Sequence, residues 1–190
     1  MQRNGFTLRA IGIGCALLLG LVACDPESTP GEGGEPTPTP QVEATLIPAQ
    51  EAVAAIEALE GGFTCDEPRP RGGDDFWWLC SGSRGTLDAE IRVYARQVDD
   101  PLHAVTMYTS VPQEEEAEQA ADATSELILA VVGVTVPEEW RGSVSEWVEG
   151  VMPDGGRTLD VPDSGVTAGI QPLTANEWYV EFYELDGTPG

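Results

Sequence analysis

Apolar positions divide the chain into three regimes. Residues 10–23 are apolar apart from Gly and Cys15, residues 25–41 carry almost no apolar side chain, and from Val42 apolar residues return with the periods of helices and strands. Over 48–60, Val53, Ile56 and Leu59 share one helical face with several alanines, and Gly61-Gly62 stops the helix. Strands are predicted at 63–65, 75–81, 86–97 and 102–109. In the third, Ile91, Val93 and Ala95 alternate with Arg92, Tyr94 and Arg96, the pattern of a sheet with one buried and one wet face. "SGSRG" and "DDP" read as turns, and "DEPRPRGGD" over 66–74 as a longer polar loop.

Pro112 opens a long helix whose first turn holds Glu114, Glu115 and Glu116, where acids suit the positive end of the helix dipole. Leu127, Ile128, Val131 and Val132 form its apolar end, and Gly133 is expected to break it. A further helix starts near Pro137, with Trp140, Val144, Trp147, Val148 and Val151 recurring as a core stripe. Strands near 157–161, 165–172 and 177–185 complete the pattern. The last alternates Trp178, Val180 and Phe182 with Tyr179, Glu181 and Tyr183. Residues 43–185 are therefore read as one α+β domain: an antiparallel sheet of about six or seven strands with about three helices packed mainly on one face. Residues 186–190 are read as a frayed tail.

The first regime has a separate meaning. Arg3 and Arg9 precede it without any acid, and at about 14 residues it fits the apolar region of a signal peptide, being shorter than the ~20 residues of a membrane-spanning helix. It ends in Leu21-Val22-Ala23-Cys24, which resembles the lipobox of bacterial lipoproteins. The resemblance implies that 1–23 is a signal peptide, that Leu21, Val22 and Ala23 are read by the peptidase, and that Cys24 becomes the acylated amino terminus. The partner is then the lipid bilayer, joined through acylated Cys24, because two or three acyl chains anchor stably where one does not. The protein is expected at the cell membrane, lipid-anchored and facing outside the cytoplasm. Asp25 resembles an inner-membrane retention signal of enteric bacteria, which leaves the leaflet open. Residues 24–42 then act as a spacer reaching at most ~50 Å at about 3.1 Å per residue, with Thr-Pro repeats open to O-linked sugars.

Charge narrows the classes of partner. The chain has 33 acidic residues against 9 basic ones, all Arg. The absence of Lys excludes Schiff-base chemistry. Without residues 1–23, the 33 acids face seven Arg, an excess of 26 negative charges. Such a surface repels phosphate backbones and anionic headgroups, so no nucleic-acid partner is expected.

With Cys15 removed and Cys24 acylated, Cys65 and Cys80 remain, and in an oxidising compartment they are expected to pair. Neither a Cys-x-x-Cys motif nor a basic neighbour favours a redox role. The order of alanine-rich helix, Phe63-Thr64-Cys65, turn, Trp78-Leu79-Cys80 and antiparallel strands resembles small bacterial lipoproteins without an established activity. It implies architecture alone.

Candidate chemistry is sparse. His103 is the only histidine, with Asp99 or Asp100 as a possible orienter, and no Gly-x-Ser-x-Gly elbow supplies a nucleophile. It is read as a strand histidine facing solvent or a partner strand. One histidine and a paired disulfide do not make a zinc or copper site, "PDGGRTLD" and "PDSG" lack calcium-loop spacing, and neither Gly-Gly pair continues into a phosphate loop. No catalytic residue, metal or cofactor is assigned. The leading expectation is a non-catalytic binding or scaffolding domain for an unknown extracytoplasmic ligand or protein, with Tyr94, Tyr179 and Tyr183 as surface-binding aromatics. The alternatives are a carboxylate-dependent hydrolase and a small-molecule carrier with an apolar cavity lined by Trp77, Trp78 or Trp178.

Overall fold

The computed structural model describes residues 44–72, 75–112, 117–152, 156–183 and 185. The expected signal peptide over 1–23 with Leu21, Val22 and Ala23, the expected acylation site Cys24, the expected spacer, Glu114 to Glu116 and the expected tail 186–190 lie outside the described residues.

The elements run α1 (Ala49–Glu57), β1 (Thr64–Cys65), β2 (Arg69–Pro70), β3 (Phe76–Arg84), β4 (Leu87–Ala95), β5 (Leu102–Ser110), α2 (Ala117–Thr135), α3 (Glu138–Val151), β6 (Gly156–Asp160), β7 (Thr167–Thr174) and β8 (Glu177–Tyr183). All strand pairs are antiparallel. The sheet order is β1-β3-β4-β5-β8-β7-β6, with β2 also on β3. The two short strands lie end to end along one edge: β1 pairs with Cys80 and Ser81, β2 with Phe76 and Trp77. This is the expected α+β architecture.

Alternation builds the core. Trp78, Val93, Val105, Phe182 and Ala168 form one row across five strands, and Cys80, Ile91, Met107, Val180 and Ile170 form the next. All ten are buried. They join one cluster with Ile56 of α1, Leu127, Ile128 and Val131 of α2, and Trp140, Val144 and Val148 of α3. The helices therefore cover one face of the sheet.

Three local expectations change. β3 continues through "SGSR" to Arg84, leaving Gly85-Thr86 as the two-residue turn before Leu87. Gly85 has φ 64, the left-handed conformation such tight hairpins demand. The polar loop over 66–74 contains β2, because Arg69 and Pro70 find open backbone on β3. Gly133 does not end α2, which runs to Thr135. A mid-helix glycine costs only about 1 kcal/mol, and Val131, Val132 and Val136 are buried around it. Pro137, the N-cap residue of α3, stands just beyond.

Candidate functional site: the uncovered sheet face

The other half of each strand's alternation points away from the helices. Its first row is Trp77, Tyr94, Ala104, Tyr183 and Thr167; the second is Leu79, Arg92, Thr106, Glu181 and Gly169; the third is Ser81, Glu90, Tyr108, Tyr179 and Gln171; the fourth is Ser83, Asp88, Ser110, Glu177 and Thr174. Among the described residues no helix packs on this face. All four tyrosines of the chain lie on it.

The register brings the three expected tyrosines together and adds a fourth. Tyr94 and Tyr183 both flank Ala104, while Tyr179 stands directly opposite Tyr108. Tyr179 and Tyr183 are half-buried. Tyr94 is only 7 % exposed. Its hydroxyl lies 3.5 Å from Thr106 Oγ1, and the Arg71 guanidinium lies over its ring at 4.8 Å. The loop between Cys65 and Phe76 thus reaches over the first row. It also carries Arg69, whose guanidinium lies 5.9 Å from the Trp77 ring centre, while Arg92 approaches the same ring at 5.7 Å. The Cys65–Cys80 disulfide, expected from the sequence and present here, closes the base of this loop.

Carboxylates dominate the far rows. Tyr108 donates to Glu177 Oε1 at 2.7 Å, and that bond, followed by burial and by the charges of Glu177 and Glu90, holds its phenol above the ordinary range. Burial raises Tyr183 most, and its 2.7 Å bond to Glu181 Oε2 raises it further. Burial also lifts Tyr179, with the charge of Glu181 adding to it. Tyr108 and Tyr183 commit their O–H groups to Glu177 and Glu181. The tyrosines offer amphipathic rings with a polar rim.

The remaining candidates lie elsewhere. Trp78 and Trp178 are buried on the helix side, opposite Trp77, so the three tryptophans do not line one space. Trp140 is a core residue against which Gly165 packs: a Cβ at Gly165 would come within 2.7 Å of its ring. His103 is the extra residue where the β4–β5 register shifts, between the pairs Tyr94–Ala104 and Ala95–Leu102. Its Nδ1, like Trp178 Nε1, is buried without a hydrogen-bond partner among the described residues. Asp99, a proposed orienter, accepts from Gln50 Nε2 at 2.8 Å. Among the described residues no three His, Cys, Asp or Glu side chains converge as a metal site, and no helix is long and apolar enough to cross a membrane.

Sequence reasoning placed Arg92 on this face by alternation with Ile91 and Val93, and missed Tyr108, Arg69 and Arg71 as members of it. Tyr108 had a usable signal, since it alternates with the core residue Met107. The arginines of the loop had none, because their position over the rings depends on the pairing of β2 with β3. Compared with family models, curated proteins and solved structures, the chain matches none of them.

Proposed function

We propose that the chain is a membrane-tethered extracytoplasmic lipoprotein, held through acylated Cys24, whose folded domain binds a partner without catalysis through the uncovered face of its sheet. The observation that carries the binding role is the gathering of Trp77 and all four tyrosines on that face. A sheet needs one apolar face to fold; the second is free to be polar. Large rings are the costly choice there, and Tyr and Trp are the residues interfaces favour. The lipobox resemblance of Leu21 to Cys24 supports the tether.

Both halves are testable in cells producing the full chain. Cys24→Ser is expected to abolish acylation and move the protein out of the detergent-phase membrane fraction; unchanged partitioning would sink the tether. For the binding face, a photo-crosslinking residue at Tyr179 is expected to capture a partner, whereas one at exposed Glu149 of α3 is not. Adducts from Glu149 alone would place recognition on the helices instead.

A further inference from the structure

We infer that the partner of the open face is a second copy of this chain, docked face to face about a two-fold axis. This rests on the reading of that face as the binding surface and specifies its occupant. The argument is its charge pattern. Guanidinium groups gather at the first row: Arg69 and Arg71 lie over Trp77 and Tyr94, and Arg92 follows one row on. Carboxylates gather at the opposite end, with Glu90 in the third row and Asp88 and Glu177 in the fourth, while Glu181 of the second row accepts from Tyr183 at 2.7 Å. First and fourth rows are six residues apart along β4, or ~20 Å at about 3.4 Å per residue.

A two-fold axis lying between the faces and crossing the strands midway between these rows lays the arginine end of each copy on the carboxylate end of the other. The patch is thus complementary to itself, as an isologous interface must be. Strands of the two sheets run nearly parallel to one another, as in an aligned sandwich with sheets ~10 Å apart. The half-buried rings of Trp77, Tyr108, Tyr179 and Tyr183 supply the apolar contact between the poles. Leu173, 48 % exposed, sits at the β7 register shift beside the carboxylate end.

Complementarity selects this occupant over others. A uniformly acidic partner meets Asp88, Glu90 and Glu177 at one end, and a uniformly basic one meets Arg69, Arg71 and Arg92 at the other. A second copy matches both ends. The intramolecular pairs Arg69–Asp66 and Arg92–Glu90 are solvent-exposed, so exchanging them for intermolecular pairs sacrifices little. Net repulsion between copies is screened beyond ~8 Å at physiological salt, and tethering to one membrane raises their effective concentration.

The test is a charge-reversal cycle on the full chain, with two differently tagged copies co-produced and one tag purified. Wild-type copies are expected to co-purify. Arg69→Glu/Arg71→Glu alone and Asp88→Arg/Glu90→Arg alone are each expected to lose self-association by more than ~10-fold, because like charges then oppose. Mixing the two variants is expected to restore association, which also shows that both fold. Wild-type copies that fail to co-purify, or variants that self-associate like wild type, overturn the inference. So do folded variants, judged by thermal melting, that fail to restore it. The photo-crosslink at Tyr179 reads the wild-type contact independently of any variant. An adduct at twice the chain mass supports the dimer; an adduct of any other mass overturns the second copy while leaving the open-face reading standing, and no adduct overturns both.

Discussion

Arg71 lies over the ring of Tyr94 with its guanidinium carbon 4.8 Å from the ring centre, and Tyr94, 7 % exposed, is the most buried tyrosine of the open face. The loop that delivers Arg71 is held by Asp66 N–H donating to Leu79 O and Arg71 N–H donating to Asp75 O, both at 2.8 Å. Arg71→Ala is expected to cost about 0.5–1 kcal/mol, the usual worth of an exposed cation–π contact, and to expose Tyr94. Urea denaturation reads the first effect. Tyrosine nitration mapped by mass spectrometry reads the second: modification of Tyr94 should rise while that of Tyr108 stays constant. Arg71→Lys should recover part of both.

Because all four tyrosines share one face, phenol absorbance reports on that face alone. Tyr108, Tyr179 and Tyr183 are raised above their ordinary value in the fold. A raised phenol contributes stability that is fully present below its unfolded pKa of about 10 and is lost as pH rises through the higher folded value. Titration at 295 nm should therefore show these residues ionising above about pH 10, with loss of near-ultraviolet circular dichroism alongside. Glu177→Gln should move Tyr108 downward, since the hydrogen bond to that carboxylate is its largest cause. Ionisation of all four near the unfolded value in a folded protein would contradict the packing described.

Cys65 and Cys80 stand directly opposite one another on β1 and β3. Their separation of 15 residues corresponds to about 3 kcal/mol of loop closure in the chain-entropy account. Cys65→Ala/Cys80→Ala should lower the urea midpoint by that amount, and reductant should do the same to the wild type but not to the variant. The loop carrying Arg69 and Arg71 should loosen first, seen as faster amide exchange over 66–72 than in β4.

The acid limit of stability should involve Glu139. Its carboxyl accepts from Thr45 N–H at 3.3 Å and from Thr45 Oγ1 at 3.3 Å. A bond to its own backbone N–H, foremost, and those to Thr45 hold it below the usual carboxylate range. A depressed folded pKa contributes stability present above the unfolded value, about 4.3, and lost as pH falls through the lower folded value. The link fastens the segment before α1 to the first turn of α3. Glu139→Gln should flatten that part of the acid dependence, and the Thr45 amide should exchange faster at neutral pH. An unchanged Thr45 amide would show that the bond does not hold the segment.

The helix-side core was legible because it follows local periods. Ile91, Val93 and Ala95 announced their face by alternation, and Trp140, Val144 and Val148 theirs by helical spacing. The exceptions are as physical as the successes. Tyr94 alternates with core residues and so belongs on the wet face, yet it is 7 % exposed. Arg71, from another element, lies over its ring. Gly133 carries a breaker's propensity, yet the buried side chains around it hold α2 together. Arg69 and Pro70 looked like loop because a two-residue strand has no period to detect, and only the unpaired edge of β3 makes them one.

What the sequence determined by itself is parity: which residues of a strand share a face and which side of each helix is apolar. These follow from the geometry of a single element, where side chains alternate on a strand and return every turn on a helix. What only the tertiary structure decided is register across strands. Strand order sets Tyr179 against Tyr108 and separates the arginine end of the open face from its carboxylate end. Register depends on the joint burial of many side chains and on turn lengths, so no single segment contains it.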